Sequence, residues 1–345
     1  MRLPPVLVWC LLIAVSAGGA ELLTALGVPA AWLIAPLLIS IVAAVSGLVE
    51  MRVPAPFFIG SQATIGCLIA ETFTPPVAVQ IAREWWIVLL VVVSTVIAAG
   101  VAGWIMARFG SLPAATAAWG SSPGAAAAMT SMSGDYGADP RLVAFMQYLR
   151  VTLVVLSAGA VAHFLLPHHQ SAPLGGPLVL DPQGWLETLA VAVVAVLLTR
   201  RFKIPAGPLL GPMILGAALH ATGFVRIVVP PFVLEAAYIA IGLSIGLRYT
   251  RETVRYALRA LPQLLLSTGV LIALCCLSAL LLKATTHVDS LTAYLATTPG
   301  GLDSVTVIAL GSGADVPLVL AIQAVRVFVV ILSGPPLAKL IARIA

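Results

Sequence analysis

The chain has 345 residues, of which 61% are hydrophobic and only 9% charged, with a net charge of +5. Soluble domains carry about 25% charged residues, so a soluble domain is excluded. The composition is that of a polytopic membrane protein, because each crossing of a roughly 30 Å hydrocarbon core needs about 20 apolar residues.

In chain order, the segment Met1–Ala20 imitates a signal peptide, with Arg2, an apolar stretch and then small residues. It is read instead as a retained helix, because Trp9 and Leu22 recur as Trp185 and Leu198. Apolar runs predict crossings at Pro5–Leu23, Ala30–Ser46, Phe57–Phe73, Trp86–Met106 and Leu142–Leu165. A second set follows at Trp185–Leu198, Ala206–Ala221, Val233–Leu247, Leu261–Leu282 and Leu318–Leu340. Two weaker runs, Leu112–Met132 and Val288–Leu310, are broken by Ser121-Ser122-Pro123-Gly124 and by Thr297-Thr298-Pro299-Gly300-Gly301. Proline and glycine together punctuate a helix, so each weak run is expected to be a re-entrant hairpin of two half-helices.

The two sets are copies of one another. Adding 176 carries Pro29, Leu33, Pro36, Gly47, Gly66 and Arg83 onto Pro205, Leu209, Pro212, Gly223, Gly242 and Arg259. The same shift carries Pro123-Gly124 onto Pro299-Gly300, Gly137-Ala138-Asp139 onto Gly313-Ala314-Asp315, and Gln147 and Arg150 onto Gln323 and Arg326. Repeats of this length in an apolar chain mark secondary-transporter architectures. The expected organisation is a first repeat at 1–166, an external linker at 167–183 and a second repeat at 184–345. Five crossings per copy, an odd number, would insert the copies in opposite directions.

Basic residues agree with that count. With a cytoplasmic N-terminus, Arg2, Arg52, Arg108, Arg141 and the clusters Arg200-Arg201-Lys203 and Arg248-Arg251-Arg255-Arg259 fall inside, together with Lys339 and Arg343. Only Arg83, Arg226 and Lys283 fall outside, while Arg150 and Arg326 lie within helices. Such placement anchors helix ends, and a direct nucleic-acid partner is not expected. Cys10, Cys67, Cys275 and Cys276 sit in apolar runs without metal-ligand spacing and read as small core residues.

The residues able to do chemistry gather at the breaks. Ser121, Ser122, Pro123 and Gly124, and in the second copy Thr297, Thr298, Pro299, Gly300 and Gly301, leave backbone groups without helical partners. Lipid tolerates this only where protein buries the backbone or a wet cavity meets it. Half-helix N-termini there would attract anions; the alternative is a kink made for packing. Arg150 and Arg326, each three residues after Gln147 or Gln323, place a charge within an apolar helix, which costs at least ~2.5 kcal/mol on insertion scales. They read either as a clamp for an anionic substrate or as structural partners of Asp139, Asp315 or the hairpin carbonyls. Asp139 and Asp315 precede a proline by one or two residues and carry an N-cap signature, with ion coupling as the second reading. Asp303, whose counterpart is Ala127, is the candidate for coupling to a proton or Na⁺. Asp135 and Glu235 read as structural, and His163, His168 and His169 as surface residues.

These residues resemble the membrane AbrB family, the bacterial proteins built on the AbrB duplication domain. The string that carries the resemblance runs from Thr298-Pro299-Gly300-Gly301 through Gly313-Ala314-Asp315 to Gln323-Ala324-Val325-Arg326, with the first copy departing at Ala125 and Ala127. The resemblance implies a bacterial inner-membrane protein. The family has carried the labels ammonia monooxygenase and regulator of gene expression. No His or carboxylate cluster suits an oxygenase metal, so an enzyme is not expected, and no soluble DNA-reading module is present. (The soluble DNA-binding AbrB proteins share only the name.) More distantly, the architecture is similar to sodium/glutamate symporters and cation/proton antiporters. The expected function is secondary transport of a small, anionic organic solute, without cofactor and coupled to Na⁺ or H⁺. A homodimer fits by analogy. The alternative is a membrane-embedded regulator acting indirectly on gene expression.

Overall fold

The computed structural model describes residues 4–28, 30–72, 85–110, 112–122, 129, 133–165, 181–202, 204, 207–251, 254–255, 258, 261–286 and 288–344. Among them are thirteen α-helices. The first six are α1 (Pro5–Ala25), α2 (Ala31–Val45), α3 (Ala55–Thr72), α4 (Trp85–Phe109), α5 (Ala114–Ser121) and α6 (Pro140–Leu165). The rest are α7 (Pro182–Arg201), α8 (Gly207–Ala221), α9 (Pro231–Gly246), α10 (Leu261–Thr285), α11 (Ser290–Thr297), α12 (Leu302–Ser312) and α13 (Val316–Ile344). No strand occurs among the described residues.

Helix starts and stops follow local chemistry that recurs at the spacing of the repeat. Proline opens α1, α6, α7 and α9, where its missing N–H costs nothing. Asp181 caps α7 by accepting a hydrogen bond from Gly184 N at 3.1 Å. Helices α2 and α8 both end at a glycine with positive φ, Gly47 at 77° and Gly223 at 72°, a conformation glycine adopts without steric cost. Their N–H groups reach back to the equivalent carbonyls of Ala44 and His220. The starts of α2, α3, α4, α5 and α6 (31, 55, 85, 114 and 140) reappear as 207, 231, 261, 290 and 316. The predicted elements are therefore found in both copies, with α6 and α13 each beginning two residues earlier than the apolar runs suggested.

Helices α1, α4, α6, α7 and α10 are long and apolar enough to cross a membrane. Shorter apolar helices include α2, α8 and α9. On α1 the side chains of Leu11, Ile13 and Val15 are exposed, and on α7 those of Leu189, Val193 and Leu197. Helices apolar on their outer face belong in lipid, and the chain is a multi-pass membrane protein.

The chain forms two compact units, Met1–Arg83 with Gly159–Arg248 and Thr306–Pro317, and Glu84–Ala158 with Tyr249–Val305 and Leu318–Ala345. Each unit thus takes segments from both copies. In the first, α3 packs on α8 and α9 packs on α2. The contacts are exchanged between copies. A Cβ on Gly66 would overlap Leu209 O and approach Pro212 Cβ at 3.2 Å. A Cβ on Gly242 would lie 2.6 Å from Leu33 O and 3.0 Å from Pro36 Cβ. Residue i of one copy thus touches residue j of the other, and j touches i, as in an isologous dimer. In the second unit α4 packs on α10, α4 on α5 and α10 on α11. That unit contains α5, α11 and the start of α12.

Candidate functional site

Helix α11 opens on Asp289, whose carboxylate accepts from Leu291 N at 2.9 Å and Thr292 N at 3.0 Å. It stops after one short run because Thr298 precedes Pro299, and proline drives the residue before it out of the helical region. Thr298 sits at φ −63°, ψ 136°. Ser122, before Pro123, ends α5 in the same way at φ −64°, ψ 123°. In the second copy the chain resumes as α12 at Leu302. The breaks foreseen from Ser-Pro-Gly and Thr-Pro-Gly are therefore real, although Pro123 and Gly124 lie outside the described residues. With 8 residues at about 1.5 Å each, α5 and α11 are far too short to span a bilayer.

A helix ending inside protein leaves carbonyls without partners. The Gln-x-x-Arg pairs supply them. Gln147 Nε2 donates to the carbonyls of Trp119 at 3.0 Å, Gly120 at 3.3 Å and Ser122 at 3.0 Å. Arg150 donates to Ser122 O at 2.8 Å. In the second copy Gln323 Nε2 donates to Leu295 O at 2.9 Å and Thr298 O at 3.2 Å. Arg326 donates to Thr298 O at 2.6 Å, to Gly300 O at 2.9 Å and to Gln323 Oε1. Of the alternatives for the arginines, hairpin carbonyls are the partners observed. Both side chains are buried, Arg150 2% and Arg326 1% exposed.

The hydroxyls divide into two kinds. Ser121 Oγ donates to Ala118 O at 3.2 Å, and Thr297 Oγ1 to Ala293 O at 3.0 Å, so each is satisfied by its own helix. Ser122 Oγ is buried without a hydrogen-bond partner, whereas the buried Thr298 hydroxyl faces the Tyr294 hydroxyl. Pro299 and Gly300 are buried too. A Cβ on Gly300 would meet Val305 Cγ2 at 2.5 Å and Val154 Cγ1 at 2.9 Å. Gly301 O accepts from Val305 N at 3.0 Å and Ser304 Oγ at 3.3 Å.

The second hairpin meets the helix that carries Arg150. Val154 of α6 lies against Gly300, Val151 against Gly301, and Ser157 Oγ is 2.9 Å from Tyr294 Oη. The sequence offered no signal for Tyr294 or for the buried pair Thr152 Oγ1 and Tyr249 Oη, 2.8 Å apart.

Asp139 caps α6, its carboxylate accepting from Arg141 N at 2.9 Å, while its own N–H donates to Thr116 Oγ1 at 3.0 Å. Asp315 is exposed immediately before α13. The backbone of Asp303 belongs to the first turn of α12, but its side chain and that of Asp135 lie outside what is described. His163 is exposed, and His168 and His169 fall outside the described residues. Among the described residues no group of three or more His, Cys, Asp or Glu could hold a metal ion.

The family described as "Transition state regulatory protein AbrB" matches residues 48–342. The chain is 41% identical to a protein of Escherichia coli (strain K12) named "Putative regulator AbrB", over 99% of this chain and 98% of that one. It is 25% identical to "Uncharacterized protein YhjN" of Bacillus subtilis (strain 168), over 95% of this chain and 92% of that one. The duplicated helices, the paired breaks and these matches agree, and the chain belongs to the membrane AbrB family.

Proposed function

We propose that the protein is a secondary transporter of a small anionic organic solute, which binds where the two hairpins and the helices α6 and α13 converge. The observation that carries this reading is a pair of buried guanidiniums with no acid as partner among the described residues. Each faces a half-helix C-terminus, which offsets only roughly half an elementary charge. The balance is positive, and a buried positive balance favours an anion. Ser122 and Thr298 offer hydroxyls, while Ser121, Thr297, Pro123, Gly124, Pro299, Gly300 and Gly301 shape the breaks. Asp303 would bind the coupling H⁺ or Na⁺, with Asp139 and Asp315 at the rim. Alternating access would come from one helix bundle moving against the other in the bacterial inner membrane.

Ligand-dependent thermal stabilisation of the purified protein tests this. A bound carboxylate at about 100 Kd adds ~2.7 kcal/mol, and Arg150→Ala should abolish the gain. If no anion stabilises the wild type, the reading fails. The name of the Escherichia coli relative favours a second reading, a membrane-embedded regulator acting indirectly on gene expression. That reading predicts a transcriptional phenotype that survives Arg326→Ala but is lost with the Arg248–Arg259 segment.

A further inference from the structure

The two Gln-x-x-Arg clamps share their residues but not their hydrogen bonding. In the second copy the arginine is spent on its own hairpin. It reaches two carbonyls, and Gln323 Oε1 is occupied by the same guanidinium. In the first copy, among the described residues, Arg150 donates to Ser122 O. Its Nε, the Gln147 Oε1 and the Ser122 Oγ are all without partners, in side chains 2%, 0% and 5% exposed. The Gln147 amide is fixed in direction, since Nε2 faces three carbonyls and a flip would set Oε1 against them. Each orphaned buried group costs about 1–3 kcal/mol, and such a group calls for an explanation. The second copy keeps Arg326 Nε unpartnered, but no amide oxygen.

Resting on the anion-carrier reading above, we propose that Gln147, Arg150 and Ser122 hold the ligand and the second clamp is a brace. The open set then names the ligand's chemistry. The spare N–H groups of Arg150 and the hydroxyl of Ser122 suit a carboxylate. Gln147 Oε1 accepts only, so the ligand must also bring a donor. Two buried guanidiniums disfavour an ammonium, which leaves a hydroxyl. Gln147 and Arg150 stand one helical turn apart, three residues along α6, so that hydroxyl lies one or two carbons from the carboxylate. The ligand is a small hydroxycarboxylate.

The test compares lactate with its deoxy analogue propionate as probes, reading apparent Kd from the stabilisation of purified full-length protein. The matched substitutions are Ser122→Ala with Thr298→Ala and Arg150→Lys with Arg326→Lys, each checked for its melting temperature without probe. The expected result is lactate about tenfold tighter than propionate, one hydrogen bond's worth. First-copy substitutions should weaken lactate at least about tenfold more than their second-copy partners. Equal binding of the two probes, or greater sensitivity in the second copy, overturns this inference and leaves the anion reading standing. Failure of every carboxylate tried on the wild type overturns both. Should Arg326→Lys not fold, the serine–threonine pair carries the comparison, with the melting temperature without probe separating loss of the Thr298–Tyr294 contact from loss of probe binding.

Discussion

Replacing Arg326 with alanine should destabilise the protein more than the same change at Arg150, although the residues are equivalent in the repeat. Both changes relieve the burial of a charge and leave a hole of similar size, so those contributions largely cancel in the comparison. The difference lies in the acceptors left behind. Without Arg326, Gly300 O and Gln323 Oε1 lose the partners found here, while Thr298 O retains Gln323 Nε2. Without Arg150, Ser122 O retains Gln147 Nε2 at 3.0 Å, and no acceptor among the described residues is orphaned. Two buried acceptors at about 1–3 kcal/mol each give an excess of about 2–6 kcal/mol for Arg326→Ala. Reversible unfolding in mixed detergent micelles with increasing SDS measures it. Equal losses, or a larger loss at Arg150, would refute the assignment of Arg326 as a brace.

Other consequences follow from the same packing. Gly66→Ala and Gly242→Ala press a methyl into the backbone at Leu209 and Leu33 and should each cost about 1–3 kcal/mol by overpacking. Gly18→Ala and Gly60→Ala, where nothing lies within 4 Å, should be neutral or slightly stabilising in the same melting assay. Asp289→Ala removes the cap of an 8-residue helix and should cost about 1 kcal/mol, read as a lower melting temperature. For topology, cysteines placed beside Arg2 and Arg251 should be labelled only from the cytoplasmic side of intact cells. One beside Arg226 should be labelled from outside, and a reversed pattern would contradict the basic-residue argument.

Much of the architecture could be read directly. Apolar runs located the helices, and proline after Ser122 and Thr298 located the breaks, because both signals act through neighbours in sequence. Asp139 before Pro140 was readable as a cap for the same reason. What escaped depends on partners distant in the chain. The recurrence of Gly66 as Gly242 and of Leu209 as Leu33 was visible, but not that each glycine sits on the other copy's helix. Nor could identical Gln-x-x-Arg strings disclose that Gln323 Oε1 is engaged and Gln147 Oε1 is not. The arginines in apolar helices signalled buried polar partners, and only coordinates distinguish carbonyl ends of half-helices from acids. The interleaving of the copies into two compact units leaves no trace in composition or period.

The central claim is that an anion passes through this protein. Counterflow in proteoliposomes addresses it most directly, with vesicles preloaded with unlabelled hydroxycarboxylate and diluted into trace radiolabel. The account predicts transient accumulation of label in wild-type vesicles, abolished by Arg150→Ala and absent from protein-free vesicles. Label that merely equilibrates, at the same rate with and without protein, for every carboxylate tried would contradict it.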